Sequence, residues 1–147
     1  MALMANDAGD LIDQLILLTR RLADVAERQA ALFEANRLTE AQPLTDEAGR
    51  LGTVYALESR RIAQNPSIIA DAPRALKDAL TAETIRFRAA MAAHESAIER
   101  QRILAEGLVR AIAEEAVAAR PTPVAYGPSS GSSAFRDTSA VALDRRA

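Results

Sequence analysis

The pair His94-Glu95, with Glu99 one turn further on, is where this chain comes nearest to metal or acid–base chemistry. A zinc-protease helix needs a second histidine four residues after the first, and position 98 is Ile98. A di-iron bundle needs paired Glu-x-x-His motifs, and His94 is the single histidine. His94 and Gln101 therefore read as polar layers in a helical seam, facing Gln29 or Asn36, of the kind that fixes register. Nucleophilic chemistry has no better footing. Ser59, Ser67 and Ser96 stand singly, the other serines crowd the C-terminal end, and no Gly-x-Ser-x-Gly occurs. The run Gly127-Pro-Ser-Ser-Gly131 lacks the Gly-Lys-Ser/Thr ending of a phosphate loop. There are no cysteines, so no disulfide framework and no thiolate metal site. The expectation is a protein without enzymatic activity, metal or cofactor.

Arginine clusters at Arg20-Arg21, Arg60-Arg61, Arg86/Arg88 and Arg100/Arg102 each have Asp or Glu at helical spacing, as in Asp24 with Arg28 and Glu83 with Arg86. They read as solvated faces with weak ion pairs. With a net charge of −2 and no clustered basic face, no nucleic-acid footprint is expected. The N-terminal residues lack the positive start of a signal peptide. The longest strongly apolar stretch, Leu15-Ile-Leu-Leu18, is too short to cross a bilayer. A cytoplasmic protein without an integral membrane segment is the expectation.

The elements that carry these residues are helical. Half of the 147 residues are apolar, with alanine much the commonest of them, and aromatics are 3%. Alanine favours helix and lets helices approach closely, which suits a slender bundle. A first helix is expected from Asp7 or Asp10, which can cap it, to about Ala41, where Pro43 stops it. Its seam is Leu11, Leu15, Leu18, Leu22, Val25, Gln29, Leu32, Asn36, alternating four and three as a heptad stripe does. A second helix follows from Thr45, as N-cap, to Gln64, with Leu51, Tyr55 or Val54, Glu58 and Ile62 along one stripe and Leu57 beside it. Asn65-Pro66-Ser67 ends it, and Ser67 to Ala72 is a connector carrying Ile68 and Ile69. A long third helix starts near Asp71, with Pro73 in its first turn, and runs to about Ala119. Its stripe reads Leu80, Thr84, Phe87, Met91, His94, Ile98, Gln101, Ala105, Leu108, Ile112. Gly107 is a weak point. From Arg120 the composition turns to Pro, Gly, Ser and Ala, as in disordered tails. The fold expected is all-α: an elongated antiparallel three-helix bundle or coiled coil over residues 1–119, with a disordered tail over 120–147.

The last turns of the third helix carry Leu104, Leu108, Val109, Ile112, Ala116 and Val117. Two arrangements are open: this face is uncovered and docks a partner helix, or it packs on the start of the first helix. Tyr126, among Pro, Gly and Ser, offers a large ring with a polar handle.

The order of helices, the stretch Gln101-Arg-Ile-Leu-Ala-Glu-Gly-Leu-Val-Arg-Ala-Ile112 and the end Tyr126-Gly-Pro-Ser-Ser-Gly131 resemble the FlgN-type flagellar export chaperones and their basal-body relatives. That resemblance implies a cytosolic type III secretion chaperone or adaptor. Its clients would be hook-associated or other late flagellar subunits, bound through Leu104, Leu108, Ile112 and Val117. Tyr126 would dock the export-gate component. The alternative is a structural coiled-coil scaffold of the flagellar basal body or another assembly, forming a homo-oligomer through its heptad seams.

Overall fold

The computed structural model describes residues 3–120. Three helices account for almost all of them: α1 (Ala8–Glu34), α2 (Leu38–Gln64) and α3 (Arg74–Ala118). One turn of 3-10 helix, Pro66–Ile69, lies between α2 and α3. Among the described residues there is no strand, and no helix is long and apolar enough to cross a membrane.

Asp7 caps α1 as its sequence suggests, its carboxylate accepting the Asp10 backbone N–H at 2.8 Å. The other end of α1 departs from expectation. The helix stops at Glu34, not near Ala41, because Asn36 takes the left-handed conformation at φ 57°. The N–H of Arg37 then bonds the carbonyl of Leu32 at 2.8 Å, and that of Asn36 the carbonyl of Phe33 at 3.0 Å. This is the Schellman arrangement, which satisfies two carbonyls the helix end would leave unpaired. Asparagine is among the few residues to tolerate that conformation, which costs most L-residues about 1–2 kcal/mol.

The chain re-enters helix at once. α2 begins at Leu38, so Pro43 sits inside it and Thr45 is not its N-cap. Pro43 is on the exposed side, where its missing N–H leaves the Thr39 carbonyl without an intrahelical partner. The Thr45 hydroxyl instead donates to the carbonyl of Ala41 and accepts from Gln29 Nε2 at 2.9 Å. The third helix begins at Arg74, just after Pro73, rather than at Asp71. Ile68 and Ile69 are half-buried in the connector.

Successive helices run antiparallel, which leaves α1 and α3 parallel. Cross-helix ion pairs fix this register: Arg20 with Glu83 at 2.8 Å, Arg86 with Asp24 at 2.6 Å and Glu27 at 2.8 Å, and Arg100 with Glu34. The carboxylates of Glu27 and Asp24 hold the Arg86 guanidinium above its already high ordinary value. α1 is the central element and packs on both neighbours, whereas no Cα of α2 comes within 8 Å of one in α3.

Two clusters join α1 to α3. Ile12 and Ile16 meet Ala72, Leu76 and Leu80 at one end. Ala23 and Ala26 meet Ala90, Phe87 and Met91 in the middle. The small side chains of the second cluster let the helix axes approach, and the flanking Phe87 reaches across to Tyr55 with ring centroids 5.5 Å apart. The other face of α1 (Leu11, Leu15, Leu18, Leu22, Val25, Gln29) is buried. Buried α2 residues include Ala41, Leu44 and Glu58. Glu58 is fully buried, with a carboxylate oxygen accepting the Leu3 backbone N–H at 2.8 Å.

Candidate partner-binding face

α3 is far longer than the helix it packs on. Gln101 Nε2 donates to the Phe33 carbonyl in the last turn of α1, and Arg100 pairs with Glu34. Beyond that level α1 has ended, α2 has turned back, and every residue from 102 to 120 is exposed. The overhang, 102–118, is about 25 Å long at 1.5 Å per residue.

Its apolar side is the continuation of a packed seam. At about 100° per residue, Leu108 falls on the same side of α3 as Ala90 and Ala97, which are buried against α1. Leu104, Leu108 and Ile112 lie within about 80° of one another, and are 65%, 62% and 58% exposed. Ala105, Val109 and Ala116 widen the face toward the side that α2 occupies higher up. The other arrangement weighed from sequence is excluded: the start of α3, not its end, lies against the start of α1.

Val117 stands apart from the three. It lies about 140° round the helix from Ile112, and borders a hollow with Arg110, Ala113, Glu114 and Ala118. Tyr126 and Gly131 lie outside the described residues.

Among the described residues His94 Nε2 hydrogen-bonds to neither Gln29 nor Asn36, and Gln29 bonds to Thr45 instead. The His94 ring lies on Phe33 with centroids 5.4 Å apart, just above the overhang. Its Nε2 is buried without a hydrogen-bond partner. Burial pushes the imidazole below its ordinary value near 6.5, and Glu95 opposes this in part. A base with a lowered folded-state pKa is protonated first in the unfolded chain. The contribution of His94 to stability is therefore whole above about pH 7. It declines as pH falls below the ordinary histidine value, until the folded-state pKa is passed. Melting curves between pH 7.5 and 5 should show this slope in the native chain and a flatter one in His94→Leu. Asp10, held low by the N–H of Asn6, and Glu99, held low by Arg102, lose their contributions only in the carboxylate range below it.

A second concavity was not apparent from the sequence. Between α2 and α3, over α1, lies a cleft of about 270 Å³ lined by Leu15, Thr19, Tyr55, Ser59, Ile62 and Leu80 among others. The Thr19 hydroxyl on its floor has no hydrogen-bond partner among the described residues. Among the described residues no three His, Asp or Glu side chains gather as a metal-ligand set.

The chain is 39% identical over 128 residues to the flagellar basal-body protein FlbY of Caulobacter vibrioides, an alignment that covers 86% of each. No protein-family model matches the chain. No solved structure matches it significantly.

Proposed function

Because the chain belongs to the family of the flagellar basal-body protein FlbY, we propose that it serves flagellar assembly as a cytoplasmic chaperone or adaptor without enzymatic activity. The observation that carries this reading is the overhang of α3, a seam packed on α1 over two-thirds of the helix and bare over the rest. A seam of that kind is completed by another helix. Leu104, Leu108 and Ile112 would hold a helix of a hook-associated or other late flagellar subunit and keep it from sticking elsewhere. The resemblance to FlgN-type chaperones assigns delivery at the export gate to Tyr126. Such a division of labour needs no chemistry, only one face for the client and one for the gate.

The test is capture from the native host with the whole chain and with a chain ending after Arg120. The whole chain should bring down flagellar subunits and an export-gate component, and the shortened chain the subunits alone. Tyr126→Ala should reproduce the shortened chain's result. If neither chain captures a flagellar subunit, the chaperone reading fails.

A second reading, a coiled-coil scaffold that self-associates through the same face, is favoured by the description of the relative as a basal-body protein. Sedimentation separates the two. A scaffold grows with concentration through Leu108, whereas a chaperone stays small until its client is added.

A further inference from the structure

The bare face on α3 is complementary to a helix this chain already has. Ala41, Leu44 and Ala48 of α2 follow Ala23, Ala26 and Ala30 of α1 by 18 residues each, which is five turns of helix. If the chain ran straight through Asn36, these three would emerge on the side of α1 that packs on α3. The same step along α3 leads from Phe87, Ala90 and Met91 to Ala105, Leu108 and Val109. The cluster that joins Ala23 and Ala26 to Ala90 would thus repeat, five turns on, as Ala41 and Leu44 against Leu108.

The levels agree as well. The overhang begins where α1 ends, at the contacts of Gln101 with Phe33 and Arg100 with Glu34. Helix resumes at Leu38, and Asn36 is the one residue of the described chain other than glycine with positive φ. Only Ala35, Asn36 and Arg37 separate two helices whose seams are already in phase, with Asn36 left-handed and Arg37 turned to ψ 58°.

We infer that the α1–α2 hairpin is in equilibrium with a straight form, in which α1 and α2 make one continuous helix and the first half of α2 covers the α3 overhang. The occupant of the overhang in that form is the chain itself. The interface is the α1–α3 contact prolonged. The hairpin buries Leu15, Leu18, Leu22 and Val25, which straightening uncovers, so the straight form is the minor one in the isolated protein. α2 and any partner helix compete for Leu104, Leu108 and Ile112. The inference stands whatever that partner is.

The absence of native cysteine makes the test direct. A disulfide needs Cα atoms about 4.4–6.8 Å apart, and in the hairpin no Cα of α2 comes within 8 Å of one in α3. The pairs Ala41→Cys with Leu108→Cys and Leu44→Cys with Leu108→Cys therefore close only in the straight form. Gln29→Cys with Thr45→Cys, at a hydrogen-bonded contact, reports the hairpin. Both overhang pairs are carried, with helicity checked by circular dichroism, so that a fold lost in one leaves the other. Under mild oxidation, an intramolecular crosslink should form in an overhang pair. It should form about tenfold faster with Asn36→Ala, which disfavours the left-handed residue, than with Asn36→Gly, which accepts it. No crosslink while the hairpin pair closes fully, a crosslink joining two chains, or a rate indifferent to Asn36 would each overturn the inference.

Discussion

Leu108→Glu, alone or with Ile112→Glu, is expected to weaken capture of a partner helix several-fold or more and leave the melting temperature where it was. Leu108 is 62% exposed and touches no other helix, because the seam it belongs to has run past α1. Substitutions at such positions move stability by no more than about 0.5 kcal/mol. The complex is another matter. A carboxylate held in a desolvated helix–helix contact without a partner costs on the order of 1–3 kcal/mol or more. The expected loss of affinity is therefore at least about fivefold for the single variant and larger for the double. Val117→Glu serves as the internal control. It adds the same charge to the same overhang about 140° round the helix from Ile112, and should leave capture nearly intact. Titration against the captured subunit, with thermal melting of each variant, decides the matter. A folded Leu108→Glu that binds normally removes this face from the function. Equal losses from Leu108→Glu and Val117→Glu would mean that charge on the overhang, not its apolar side, controls binding.

Much of this arrangement was legible in the sequence because heptad spacing reports which side of a helix is buried. The four-and-three stripe of α1 from Leu11 to Gln29 is one of its two buried faces, the one with Ile12, Ala23 and Ala26 having gone unmarked, and Asp7 and Pro66 mark helix boundaries where capping and proline chemistry put them. The α3 stripe was legible for the same reason, but spacing cannot say what covers a stripe. Phe87 and Leu108 look alike in a sequence, and only the length of α1 makes one half-buried and the other bare.

The end of α1 was illegible for a physical cause. Periodicity passes through Asn36 without a break, since Ala41, Leu44 and Ala48 stay in phase with Ala23, Ala26 and Ala30. The stop lies in the backbone angles of Asn36 and Arg37. Pro43 looked like the terminator because proline usually ends the helix before it, yet it lies inside the next one. Neither the Tyr55–Phe87 contact nor the buried Glu58 on the Leu3 N–H could be inferred, because each joins residues far apart along the chain with no shared period.

Two isoleucines a hundred residues apart give the sharpest contrast in stability that this fold offers. Ile12 is wholly buried between α1 and the start of α3, against Ala72, Leu76 and Leu80. Ile112 occupies the continuation of the same α3 stripe beyond the end of α1, at 58% exposure. Ile12→Ala removes its side-chain contacts and leaves a void between helices packed against it through Leu76 and Leu80. The expected cost is about 2–5 kcal/mol. For a helical unit of this size each kcal/mol moves the midpoint by roughly 3–6 °C, so the variant should melt well over 5 °C lower. Ile112→Ala should move the midpoint hardly at all, since no packed atom is lost and alanine is the better helix former. Differential scanning calorimetry of the two variants is the measurement. A large loss at Ile112 in dilute protein would show that its face is already covered, by a second chain or by α2 in the straight form. The Asn36→Gly background then tells these apart. Holding the hairpin closed should restore native behaviour if α2 is the cover and change nothing if another chain is.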